Sequence, residues 1–557
     1  MQKIKDYLSS EFNLAAQALG YRLTGIKASF DFTKDYKFGD IFTNFACRIS
    51  SKYKKNPKDV GEELLKQVGE LKYVSSAKVE KNGFINIFFS PEIFSEYYSE
   101  ILEKREDIWR KHPINSWYFV EIVSANPTGL LHIGHARNGI FSDTLANLLE
   151  YGGYFVHREY LVNNLGNQIK ELLESIWIKY KAKLTSIPRE SNTKVVKYNG
   201  KEIDECVDYL ISTHGQRWIF DRNIFESKSY PELEKLVVSY FLNEIEKDLA
   251  RYNIEVNAWK FESSFVNDES INDLFKSMKE YLRVKDGAIW FKAGEILDGC
   301  KDEVLIKNDG KHTYYCQDLI YHLYKLSLLG NEGKIINILG SDHYGHIDKL
   351  KAFLKLKEVD DDRVHFICMQ LVKLMEHSTL VKISKRDSKV IYLRDLMNYM
   401  TYEEARWFLV SQHPDSPLEI DIQRLKQKNY NNPAFYVMYA YSRIFQILRK
   451  HGEPDFYSKK EVLFKTITDG IEKTIMNTLM QWDEVIHEAI ETLQPYRITQ
   501  YLFKLAKEFH SFYEETKLLQ EGHEEEWLRD RLALLNAAKY TIHSGLSILK
   551  IKPKSVI

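Results

Sequence analysis

Between residues 117 and 162 the hydrophobic period of the chain changes twice, and that alternation narrows the folds open to it. Residues 117–123 form an apolar run of strand type. Residues 136–151 carry Ile140, Leu145, Leu148 and Leu149 at helical spacing, and 154–162 again read as a strand. Gly152-Gly153 closes the helix, as glycine does at the left-handed position beyond a last turn. Strand, crossover helix and strand predict a parallel, doubly wound sheet, with ligands beyond the carboxyl ends of its strands. The rhythm breaks over about 175–300, a Lys- and Glu-rich stretch containing the apolar run 287–291, which reads as an insertion within this doubly wound fold. It resumes at 303–307, 334–340 and 364–368.

A chain of 557 residues exceeds one hydrophobic core, so roughly three or four domains are expected. Residues 1–112 read as a small α+β unit. Helical spacing runs over 41–51 and 62–71, and 82–89 are a turn followed by a strand. Residues 113–420 hold the sheet. Residues 421–557 read as an all-helical bundle, with Leu502, Leu505, Phe509 and Phe512 on one side of a helix. No apolar run approaches the ~18 residues of a membrane span, and the first residues lack the apolar core of a secretory signal. Five scattered cysteines predict neither a disulfide framework nor a cysteine zinc site, and point to a reducing cytoplasm. A formal net charge of −1 does not advertise a nucleic-acid binder, although a local basic face is compatible with it.

Two short motifs carry chemistry. Asn126-Pro127-Thr128-Gly129-Leu130-Leu131-His132-Ile133-Gly134-His135 lies where a strand meets a helix N-terminus, whose amides and dipole favour anions. Gly134 admits a nucleotide close to the backbone. His132 and His135 can donate to phosphate oxygens as charge builds up during displacement. Lys382-Ile383-Ser384-Lys385-Arg386, by itself a charged surface loop, offers Lys382 and Lys385 to a leaving pyrophosphate. In this order the two motifs point to a triphosphate attacked at its α-phosphate.

On these motifs the chain resembles the class I aminoacyl-tRNA synthetases, whose signatures are His-Ile-Gly-His and Lys-Met-Ser-Lys-Ser. More narrowly it is similar to the arginyl-tRNA synthetase family over nearly its whole length. The resemblance runs through Ser124 to His135, 158–169, 309–318, Gly340-Ser341-Asp342-His343, 432–443 and 509–513. It implies ATP with Mg²⁺, L-arginine and tRNA(Arg) as ligands, and an arginyl-adenylate intermediate that passes its arginyl group to tRNA. It assigns the guanidinium to Glu121, Tyr314 and Asp318, and the α-amino group to Ser124 and Asn126, with His343 beside them. Gly134, Gly340, Asp342 and Ser384 fall to ATP. The N-terminal part resembles the family's additional tRNA-binding domain and the C-terminal part its anticodon-binding bundle, where Tyr436, Tyr439 and Arg443 are candidates for tRNA contact. Family members typically need tRNA before they activate arginine, and a cytoplasmic monomer is implied. Rejection of lysine by a site built for a planar fork of donors needs no editing domain. Three positions depart from the family's pattern: Asp387-Ser388 where glycine often follows the second motif, Asn164 where aspartate is common, and Glu514 where asparagine is common. The alternative is a catalytically silent paralogue that binds tRNA, which would be free to lose His132, His135, Lys382 and Lys385.

Overall fold

The computed structural model describes the chain apart from residues 34, 186–195, 220–222, 342–343, 378, 382–390, 453–463, 468–469, 517, 519, 521 and 556–557. Two units emerge. One is Pro113–Lys426; the other joins Met1–His112 to Gln427–Ile557.

In Pro113–Lys426 five strands stand in the order Val364–Met369, Lys334–Gly340, Trp117–Glu121, Phe155–Val162, Ala258–Phe261. Every neighbouring pair is parallel. Phe119, Val120, Ile335 and Ile336 have no exposed surface, as residues of a parallel sheet covered on both faces should. The strand order reverses beside Trp117–Glu121, so the crevice beyond its carboxyl end is the switch point at which such sheets take ligands. The crossover helix Ile133–Tyr151 packs closely enough that a Cβ on Gly139 would stand 2.9 Å from Val123 and 3.0 Å from Ile254. Its Asp143 pairs with Arg406 at 2.8 Å, both side chains wholly buried.

The structure differs from the sequence reading at three places. The segment 303–307 does not resume the parallel sheet. Glu303–Ile306 pairs antiparallel with Ala288–Phe291, which pairs in turn with Leu282–Lys285. An Asp286-Gly287 turn with φ of 53° and 75° sets that hairpin, a local geometry that a count of apolar residues does not reveal. Conversely Ala258–Phe261, inside the supposed insertion, is the fifth strand of the main sheet. The helices Asn167–Thr185, Lys201–His214 and Tyr230–Arg251 before it form a core of their own around Leu172, Ile176, Val207, Trp218 and Phe241. At 41–51, Ile41–Thr43 is a strand, because Ile41 and Thr43 pair with Ile87 and Ile85; the helix begins only at Phe45, whose N–H donates to Thr43 Oγ1. At the end of the crossover helix Gly153 (φ 91°) supplies the left-handed glycine that the Gly152-Gly153 pair led one to expect.

In the second unit a four-stranded antiparallel sheet, with order Asp31–Phe32, Ile41–Thr43, Ile85–Phe89, Val74–Val79, lies beside the helices Gln2–Ala18, Phe45–Tyr53, Pro57–Val68 and Pro91–Lys104. The C-terminal part is helical, with Pro433–Lys450, Gly470–Met480, Trp482–Glu491, Tyr496–Thr516 and Glu525–Ile548. Leu502, Leu505, Phe509 and Phe512 are all fully buried. The two parts share polar contacts. Lys5 pairs with Glu484 at 2.7 Å, Lys473 with Asp40 at 3.1 Å, and Tyr98 donates to the Met476 carbonyl at 2.6 Å. No helix among the described residues is long and apolar enough to cross a membrane.

Candidate active site

The central strand ends at Glu121 because the chain then turns left-handed, with φ of 61° at Val123 and 54° at Ser124. Positive φ at a β-branched residue is strained and needs external support. Asn138 supplies it. Its Oδ1 accepts the Val123 N–H at 3.2 Å, while its Nδ2 donates to the Ile338 carbonyl at 3.0 Å. One amide thus ties together the two strands that flank the crevice. Ser124 Oγ accepts the Leu161 N–H at 3.0 Å.

The loop then closes onto the helix N-terminus. His132 Nδ1 accepts the Gly134 N–H at 3.1 Å, His135 Nδ1 accepts the His132 N–H at 3.3 Å, and the two rings stack 3.6 Å apart. With both Nδ1 atoms engaged as acceptors, each neutral ring carries its proton on Nε2. Burial lowers the pKa of His132. Burial, with His132 adding to it, brings that of His135 to about 3. The pair therefore offers two neutral Nε2–H donors at the positive end of the helix dipole, a donor set suited to phosphate oxygens rather than to a metal cation. A Cβ on Gly134 would lie 2.9 Å from His132 Cε1, so the glycine also makes room for the capping imidazole. The chain that directly follows 382–390 is pinned to this loop: Ile133 N–H donates to the Ile391 carbonyl at 2.9 Å and Leu393 N–H to the Leu131 carbonyl at 2.7 Å.

Beyond the strand ends lies a cavity of about 740 Å³. Of the residues singled out in the sequence, Ser124, Asn126, His132, His135, Tyr314 and Asp318 line it. Tyr314 and Asp318 sit on the first turns of the helix Tyr314–Leu329, capped by Thr313, whose Oγ1 accepts the Cys316 N–H at 3.3 Å. Asn126 Nδ2 donates to Gln168 Oε1 at 2.7 Å. Glu121 stands behind this wall, its Oε2 held 2.6 Å from Lys325 Nζ. Burial pushes its carboxyl pKa up, but Lys325 and a hydrogen bond from Ser124 outweigh that and hold it low. Gly340 ends its strand, half-buried. Asp342, His343, Lys382, Ser384 and Lys385 lie outside the described residues.

Sequence reasoning missed an acid. Glu262, only 4% exposed, lines the same cavity, and its pKa is raised to about 7 by burial and then by Asp318, against a backbone hydrogen bond from Leu165. The amide of Asn163, turned to suit its neighbours, donates to Glu262 Oε2 at 2.7 Å. Asn164, one of the three departures, both donates to Ser263 Oγ (2.9 Å) and accepts its N–H (3.1 Å), which an aspartate could not do. Glu262 lies just past Ala258–Phe261, and recognising that segment as a sheet strand was the signal that would have found it.

In the helical part, Tyr436, Tyr439 and Arg443 come together with His510. The Tyr436 and Tyr439 rings lie 4.1 and 5.6 Å from the imidazole, and Arg443 donates to the Tyr439 hydroxyl at 2.8 Å. All three are half-buried, with the Arg443 guanidinium over the rings of Tyr439 and Tyr513.

Residues 99–421 match the family described as tRNA synthetases class I (R), catalytic domain, so the sheet is that of a class I aminoacyl-tRNA synthetase. Residues 2–89 match the arginyl tRNA synthetase N terminal domain and 437–557 the DALR anticodon binding domain. The chain is 32% identical to an arginine–tRNA ligase of Staphylococcus carnosus (99% of this chain, 98% of the relative) and 33% identical to one of Ureaplasma parvum (99% of both). It superposes on the solved arginyl-tRNA synthetase of Thermus thermophilus with a TM-score of 0.75 at 18% identity, covering 100% of each chain, a likeness of fold. The chain belongs to the arginyl-tRNA synthetase family.

Proposed function

We propose that the cavity beyond the carboxyl ends of the sheet is where arginine is activated for ligation to tRNA. One observation carries this: a single cavity joins two neutral Nε2–H donors at a helix N-terminus to the acids Asp318 and Glu262. The imidazoles suit the triphosphate. The acids, with the Tyr314 hydroxyl, suit a planar, permanently charged fork of donors. Ser124 and Asn126, which line the same cavity, are assigned to the α-amino group. The arginine carboxylate attacks the α-phosphorus, the bond to the bridging oxygen breaks, and pyrophosphate leaves. The adenylate then passes its arginyl group to the terminal ribose hydroxyl of tRNA, releasing AMP. No side chain has to become a covalent intermediate, so positioning and charge stabilisation carry the rate. Mg²⁺ accompanies ATP, held mainly by phosphate oxygens. Gly134, Gly340, Asp342 and Ser384 are assigned to ATP, Lys382 and Lys385 to the leaving pyrophosphate, and Glu121 and His343 to the arginine end.

Residues 1–112 and 421–557 are read as the tRNA-binding parts, with Tyr436, Tyr439 and Arg443 at the anticodon side, and the whole as a cytoplasmic monomer. The test is arginine-dependent ATP–pyrophosphate exchange with and without tRNA, with lysine and glutamate as controls. Exchange with arginine alone, and only when tRNA is present, is the expected result. Retained tRNA binding without exchange for any amino acid would show a silent paralogue instead.

A further inference from the structure

On the helix Tyr314–Leu329, Asp318, His322 and Lys325 recur at i, i+4 and i+7 and so share one face. His322 is 2% exposed and Lys325 not at all. Lys325 Nζ donates to Glu121 Oε2 at 2.6 Å and to Asn337 Oδ1 at 2.7 Å, and lies 3.9 Å from the centre of the Tyr321 ring. Asn337 Nδ2 donates to His322 Nε2 at 3.2 Å, and His322 Nδ1–H donates to the Asp318 carbonyl at 2.9 Å. The bonds run in one direction from the ammonium to the turn that bears Asp318. They join the end of the central strand, the neighbouring strand Lys334–Gly340 and the cavity helix. A buried ammonium is expensive to desolvate, and an apolar side chain among Phe119 and Tyr321 would pack without that expense. What the ammonium adds is a fixed place for a carboxylate.

We propose that Lys325 is a positioning residue for arginine selection: it fixes Glu121 behind the cavity wall and, through Asn337 and His322, the turn carrying Asp318 that lines it, so that a guanidinium entering the cavity meets Asp318 already in place. Pre-set geometry of this kind acts on substrate affinity, because nothing has to be reordered on binding. The inference rests on the cavity being the arginine site.

Its test is steady-state pyrophosphate exchange by the whole protein with tRNA, giving arginine KM, ATP KM and kcat separately. Asn337→Ser keeps both charges and removes the second anchor of the ammonium together with the donor to His322. It should raise arginine KM about tenfold and leave ATP KM within about twofold, since displacements near 1 Å cost up to about a hundredfold. Lys325→Met should raise arginine KM further, and Lys325→Arg should recover most of the loss. Because Lys325→Met strands Glu121 without its partner and is at risk of not folding, Asn337→Ser decides in that event. Wild-type arginine KM in Asn337→Ser, or an equal rise for arginine and ATP, would overturn the proposal. Asp318→Asn separates the two readings. If it too leaves arginine KM unchanged, the location of the arginine site fails. If it raises arginine KM while Asn337→Ser and Lys325→Met do not, only the role of Lys325 fails.

Discussion

Arginine binding should be steeply pH-dependent just below neutrality, and Glu262 is the reason. Its pKa is raised to about 7, first by burial and then by Asp318. A guanidinium placed between the two acids binds the ionised form of Glu262. At about pH 6 only about one-tenth of the molecules carry that form, so apparent affinity should be about tenfold weaker than its plateau above about pH 8, one pKa unit being worth about 1.4 kcal/mol. The sign also reads through to stability. A carboxyl raised from 4.5 to about 7 binds its proton more tightly folded than unfolded, so its contribution is fully present below 4.5 and is lost as pH rises through 7. That loss is of order 3 kcal/mol. The assay is arginine KM in tRNA-dependent exchange from about pH 6 to about pH 8.5, paired with arginine titration calorimetry in two buffers of different ionisation enthalpy, which counts the proton released. His346 also lines the cavity, so Glu262→Gln is the control: it should weaken binding at the plateau and flatten the profile. An arginine KM constant within about twofold across the range, or the same slope in Glu262→Gln, would refute the reasoning.

Gly134→Ala pushes a methyl into the His132 ring, 2.9 Å away, and should break the cap. A fall in kcat of about a hundredfold, with arginine KM little changed, is expected from a displaced phosphate donor. Arg406→Met leaves the buried Asp143 without its main counter-ion and should cost about 3–5 kcal/mol in urea unfolding, whereas replacing both partners with apolar residues should cost much less. Arg443→Ala removes the cation that lies over Tyr439 and Tyr513. Filter binding should then show tRNA affinity lowered by about tenfold, worth roughly 1.4 kcal/mol, with arginine KM at saturating tRNA unchanged.

The strand–helix–strand frame around His132 is legible because a covered parallel strand and a crossover helix have unlike periods, and the covering Ile, Leu and Val residues repeat accordingly. Ala258–Phe261 was not legible: four residues containing Trp259 and Lys260 have no period to show, and only their pairing with 159–162 makes them a strand. Glu262 vanished with it. The stacked imidazoles could be placed at a helix start from sequence, but not their shared tautomer, which depends on two backbone N–H groups folding back onto Nδ1. Lys325 had a readable signal in the polar face Asp318, His322, Lys325 on an otherwise apolar helix. Its partner Asn337, on a strand, lay beyond any local pattern.

The unit built from both ends of the chain bears on how the protein is made. Lys5, Asp40 and Tyr98 leave the ribosome before Pro113–Lys426 does, yet Glu484, Lys473 and Met476 follow only after all of it. At typical synthesis rates that interval is on the order of tens of seconds. For that time the helix Pro91–Lys104 presents Tyr98 without the surface that will bury it, and the intervening unit has to fold while tethered to an unfinished neighbour. A ribosome stalled late in the message would therefore release a chain with its sheet formed and an uncovered apolar face near its beginning, a natural substrate for chaperones and proteases.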